Sequence, residues 1–225
     1  MENSVSAQTA KSRLNLQSIE ASLREVQREY PRISQALEFS REWMDGEVVE
    51  NLLSGYALVN QLLESNTQLF ALGSSAHLLE LNTRVLCGTD EQKRREYDKH
   101  ITATDRYFYG RSDGGIQDLM EWHALHRHET VWRRAAGIYI RIVSEPQVFI
   151  EGNDRTGTLV MSYILAREGQ PPFVLSPANA KAYFDASARV KKIPRNSLSR
   201  LFRLPRLKAG MADFLKGQAY AGHLL

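Results

Sequence analysis

The residues best suited to chemistry lie in one short run, Q-V-F-I-E-G-N-D-R-T-G at positions 147–157. Gly152 followed by Asn153 permits a tight turn with positive φ. The backbone N–H groups at the start of the next helix then lack partners, and with the helix dipole they form an anion site. Arg155 supplies a planar cationic fork for phosphate oxygens. Glu151 places a carboxylate beside that site, suited to a Mg²⁺ that also touches phosphates. Gly157 allows close backbone approach. The same spacing also describes a plain helix–loop–helix corner with Asn153 or Asp154 as N-cap, and spacing alone leaves both readings open.

The flanking elements are helical. Leu16, Ile19, Leu23, Val26 and Tyr30 recur at steps of three and four, a single apolar stripe ended by Pro31. A partner helix and docking onto the chain's own core both fit, and the shortness of the stripe favours docking. Helical patterning continues over 40–72, with a break near Gly46 or Gly55, and over 76–86, with Gly88 as C-cap. Residues 89–99 read as a charged surface loop. At 100–109, β-branched and aromatic residues flank a polar turn at Asp105 and Arg106, which predicts a short hairpin. Helices resume near Ile116 and Thr130. Residues 131–143 carry two apolar stripes, the mark of a central helix. A further apolar helix over 159–167 is stopped by Gly169, Pro171 and Pro172, and helical pieces over 177–188 and 196–215 follow. The class is all-α with one short β-hairpin.

Composition narrows the setting. The 225 residues are 43% hydrophobic, enough for one sizeable core. The formal net charge of +3 does not describe a nucleic-acid binder. A single cysteine, Cys87, excludes an internal disulfide and suits a cytoplasmic compartment, while export remains compatible. No stretch approaches the roughly 18 apolar residues of a membrane span, and the polar N-terminus lacks a signal-peptide core.

The run at 147–157 resembles the signature of the Fic (Fic/Doc) family, H-x-F-x-x-G-N-G-R-x-x-R. Phe149, Gly152, Asn153 and Arg155 match in register, and Glu151 fits the family's acidic position. Residues 128–136 look like the helix leading into that signature, 99–109 fall where the family's flap lies, and 159–172 look like its following helix and Gly-x-Pro-Pro turn. The resemblance spans about residues 45–185. It implies a Fic-type helical domain whose usual activity transfers AMP, or another phosphate-containing group, from a nucleotide to a protein hydroxyl. It implies that Phe149 packs in the core and that Glu151 meets Mg²⁺. Gly152, Asn153, Asp154, Arg155 and Gly157 would form the phosphate site for ATP or another nucleotide. Ile101, Thr102 and Thr104 would be the docking edge of a flap that binds a target protein by strand addition. The divisions are a loose tail at 1–12, a helical extension at 13–44, a Fic-like core at 45–188 and basic C-terminal helices at 189–225.

Three positions depart from the family. Its catalytic His falls on Gln147, and an amide orients but does not take a proton. Losing a general base typically removes ~10²–10⁴ in rate. Its second glycine falls on Asp154, and two unit charges ~4 Å apart repel by about 4 kcal/mol at an effective dielectric of 20. Asp154 is then an N-cap, a second metal ligand or a substitute base. Its second arginine falls on Thr158. The inhibitory motif of many relatives, whose glutamate pairs with that arginine, is matched only in part at 46–51, so Glu50 reads as an ordinary surface acid. The expectation is a nucleotide-binding protein with transfer lost or strongly reduced. The alternatives are an unusual active transferase and a non-catalytic interaction protein.

Two other constellations carry less. His123, His126 and His128 cluster, but no further ligand completes a metal set. The basic run at 189–208 has no aromatic stacking set or nucleic-acid motif, so a solvated helix face is favoured over nucleic acid or membrane. Cys87 reads as a small buried apolar residue.

Overall fold

The computed structural model describes residues 12–41, 43–111, 114–191 and 200–225, with residues 200–202 described by their backbone alone. Residues 1–11 of the tail expected at 1–12, and residues 192–199 of the basic run, lie outside the described residues. The all-α class holds: among the described residues ten helices and one 3₁₀ turn make up the regular structure, and no strand forms. None of these helices is long and apolar enough to cross a membrane.

The first helix, α1 (Leu16–Ala36), buries Ile19, Leu23, Val26 and Tyr30, the stripe read from sequence. It runs through Pro31 instead of ending there, because the stripe continues to the buried Ile33. Proline removes one intrahelical donor, and continued burial outweighs that loss. Helix α2 (Gly46–Glu64) starts at Asp45, whose carboxylate accepts from Val48 N at 2.9 Å, and then runs unbroken through Gly55. Helix α3 (Ser75–Cys87) ends at Gly88 as expected. The charged stretch is not a plain loop. Asp90 caps a short exposed helix, α4 (Glu91–Glu96), by accepting from Lys93 N.

The largest correction concerns the expected hairpin, which is helix α5 (Asp98–Gly110). Thr104 and Phe108 are its buried positions, with His100, Ile101 and Tyr107 partly covered. These lie at steps of three and four, a helical stripe that the β-branched and aromatic composition masks. Ile101, Thr102 and Thr104 therefore offer no free strand edge, and the docking flap they were expected to form is absent.

Helices α6 (Ile116–Leu125), α7 (Val131–Val143), α8 (Asn153–Arg167), α9 (Pro177–Lys191) and α10 (Arg200–Gly217) complete the fold. The centre is α8, where every position over 156–166 is buried. Helix α7 packs along it, α2 and α3 pack against its other sides, and α10 covers α7. Helix α1 closes on α2 and α9. A helix walled on all sides is apolar around its whole circumference, and this places the first turn of α8 where several elements meet.

Candidate functional site

The loop between α7 and α8 is built by its own side chains. Asn153 is buried; its Oδ1 accepts from Phe149 N at 2.9 Å and its Nδ2 donates to Phe149 O at 2.8 Å. Asn82 of α3 donates to Glu151 O at 2.8 Å and to Thr156 Oγ1 at 3.0 Å. Gly152 takes φ +74°, the left-handed turn its position demanded. Phe149 is 1% exposed and stacks on Phe108 of α5, with ring centroids 5.3 Å apart. With the turn fixed, the first intrahelical bond runs from Thr156 N to Gly152 O. The N–H groups of Asn153, Asp154 and Arg155 find no acceptor among the described residues. They form the positive end of the α8 dipole.

These residues floor a cleft of about 390 Å³. Tyr30 of α1, Arg41 and Trp43 of the α1–α2 connection, Tyr56 of α2, and Phe184 and Lys191 of α9 contribute to its walls. That volume is within the usual range for a small-molecule site, roughly 300–1,000 Å³.

Asp154 is not an N-cap; no side chain caps α8. Its Oδ1 accepts from Tyr139 Oη at 3.1 Å and from Ser187 Oγ. Its Oδ2 accepts from Arg41 Nη2 at 2.6 Å and from Lys191 Nζ. Burial opposes its ionisation, but the charges of Arg41 and Lys191 overcome this and hold the carboxyl below its ordinary value. Four donors on two oxygens leave Asp154 unsuited to hold a metal or accept a substrate proton. Burial also pushes the Tyr139 and Tyr183 hydroxyls upward, so both stay neutral donors. Thr158 is turned inward, 2.7 Å from Tyr183 Oη, and donates to Asp154 O at 2.9 Å.

Gln147 is part of the loop's framework. Its Nε2 donates to Val143 O at 3.2 Å, its Oε1 accepts from Asn153 Nδ2 at 3.1 Å, and Tyr107 Oη donates to its backbone oxygen. Arg155 Nη1 donates to Val85 O at 2.9 Å, at the C-terminal end of α3. Glu151 is exposed, with His100 Nε2 3.8 Å from its Oε2. Gly157 is buried against Tyr139 and Ile142 of α7. The structure thus gathers Gln147, Glu151, Gly152, Asn153, Asp154 and Arg155 at one cleft and sets Gly157 behind it.

The remaining expectations resolve simply. Glu50 is a surface acid paired with Arg24 of α1. His123 stacks on Phe70 and His126 on Trp122, each with centroids 4.0 Å apart. No group of three metal-ligating side chains occurs among the described residues. From the basic run, Arg189 pairs with Glu38, Lys191 with Asp154 and Lys208 with Glu129. Cys87 is buried and donates to Thr83 O.

Sequence reasoning missed Arg41, Lys191, Asn82 and Ser187. A signal for the first two existed: an acid beside a phosphate-type loop demands cations from elsewhere in the chain. No protein-family model matches the chain, and a search of the curated proteins finds no similar sequence.

Proposed function

We propose that this protein is a Fic-like nucleotide phosphate-binding protein in which nucleotidyl transfer is lost or strongly reduced. The observation that carries the reading is that residues 153–155, whose N–H groups find no acceptor among the described residues, line a cleft together with the Arg155 side chain. Oriented amides at a helix start bind phosphate without further machinery. The neighbouring Arg41 and Lys191 answer the charge objection raised by Asp154, since the three groups together carry one net positive charge.

Loss of transfer rests on Gln147. Both ends of its amide are engaged, one by Val143 O at the end of α7 and one by Asn153 Nδ2 at the start of α8, and an amide has no basic site at neutral pH. Asp154, the other candidate base, is occupied by four donors. The donor set fits Mg²⁺ only in a limited sense. Glu151 is the one available carboxylate at the cleft among the described residues, which suits an ion carried in on nucleotide phosphates, mostly ligated by them and by water. Bound there, Mg²⁺ would neutralise phosphate charge. The buried Cys87 suits a reducing, cytoplasmic setting.

Calorimetric titration with ATP and Mg²⁺, run beside Arg155→Ala, tests the reading. Binding by the wild type and loss in the variant support it; silence in both leaves the cleft to an interaction role. Incubation with radiolabelled ATP then tests the chemistry, and rapid magnesium-dependent protein labelling would show a working transferase.

A further inference from the structure

Two cations converge on one carboxylate at the mouth of α8. Arg41 and Lys191 both pair with Asp154 Oδ2, and their side chains are only 18% and 36% exposed. Arg155 brings a third positive charge, and its Nη1 is spent on a carbonyl, which neutralises nothing. The other acid lining the cleft among the described residues, Glu151, faces His100. Partly buried positive charge in excess of its counter-charge is costly, and an anionic ligand relieves that cost.

The donors point the same way. Arg41 Nη1 is buried and has no hydrogen-bond partner among the described residues. The Arg41 guanidinium lies over the Phe184 ring at 4.5 Å, which fixes its plane and leaves its edge donors to choose partners. An ammonium has three N–H donors, so Lys191 serves a second oxygen while keeping Asp154.

We propose that Arg41 and Lys191 form a second phosphate subsite, beside the one made by the amides of residues 153–155 and Arg155, so that the cleft selects two linked phosphates over one. Asp154 is the resident counter-ion that holds the pair in place between binding events. Neither cation belongs to the signature run. They supply from the α1–α2 connection and the end of α9 the positive charge that Thr158, turned toward Tyr183, does not provide. The proposal rests on the phosphate-binding reading above.

The test uses the full chain with inorganic pyrophosphate and inorganic phosphate as probes, without nucleotide, by calorimetric titration. The wild type is expected to favour pyrophosphate by about tenfold or more, the worth of one charge-assisted hydrogen bond. Arg41→Met and Lys191→Met keep the apolar stems in place and are expected to erase that preference while phosphate affinity stays put. Arg155→Met is expected to weaken both anions. Thermal melting confirms that each variant folds, and Lys191→Met, at a helix end, serves where Arg41→Met does not. Equal affinity of the wild type for the two anions overturns the subsite, as does a preference that survives in the folded variants. No binding of either anion by the wild type overturns the phosphate-loop reading along with it.

Discussion

Arg41 Nη2 lies 2.6 Å from Asp154 Oδ2, joining the α1–α2 connection to the first turn of α8 across 113 positions of sequence. Lys191, Ser187 and Tyr139 complete the cage, so one carboxylate ties α7, α8, α9 and the connection together. Replacing it strands two cations in partly covered surroundings. Asp154→Asn is therefore expected to cost about 3 kcal/mol, the usual penalty for breaking a buried pair from one side. Urea denaturation measures this; a loss under about 0.5 kcal/mol would mean that the cage behaves like a surface pair.

The same carboxyl sets an acid dependence. Its folded-state value lies below the ordinary Asp value of about 3.9. Its contribution is complete above the unfolded value and is lost as pH falls through the depressed folded one. Glu80, paired with Arg84 and Arg94, and Asp185, bonded to Lys181, are held low as well and add in the same direction. Melting temperatures of the wild type and Asp154→Asn should differ at pH 6 and draw together as pH falls below the unfolded Asp value of about 3.9. A gap that stays constant across that window would separate the stability loss from Asp154 ionisation.

Phe149 couples the loop to α5 through its stacked contact with Phe108, the two rings being 10° from parallel. Phe149→Ala is expected to destabilise by about 3–5 kcal/mol, since both side chains are fully enclosed. A double-mutant cycle with Phe108→Ala should return a coupling of about 0.5–1.5 kcal/mol. Additive losses would show that the two rings are buried independently.

A side chain at Gly152 would be strained by the left-handed turn and tightly placed among its neighbours. A Cβ there would stand 3.0 Å from Asn82 Nδ2 and 3.2 Å from Val85 and Leu86 side-chain atoms. Gly152→Ala should cost about 1–2 kcal/mol from backbone conformation alone. It should also weaken ATP binding by displacing Asn82 from Glu151 O. Gly210, helical and with nothing near its Cβ position, is the control, and alanine there should be neutral or mildly stabilising. Unchanged ATP affinity in Gly152→Ala would separate the turn from the binding site.

The stripes that built α1, α7 and α8 were legible because each buries positions at helical spacing, from Ile19 to Tyr30 or around all of α8. The turn at Gly152 was legible for the same local reason. Helix α5 was not. Its buried Thr104 and Phe108 sit among Ile101, Thr102 and Tyr109, whose types favour strands, and packing on Phe149 decided the matter. The role of Asp154 was hidden differently. Its partners stand 15, 33, 37 and 113 positions away, so nothing local distinguishes a caged carboxylate from an N-cap.

The burial of α8 gives the site a reporter of its own. Amide protons over 160–166 lie inside a helix closed on every side and should exchange with deuterated solvent only when the whole molecule opens. Those of Asn153, Asp154 and Arg155 begin the same helix without acceptors and should exchange from the native state. A phosphate seated on them would slow three amides at one end of a helix whose other amides are already silent, so occupancy becomes readable at single-residue resolution without any label on the ligand.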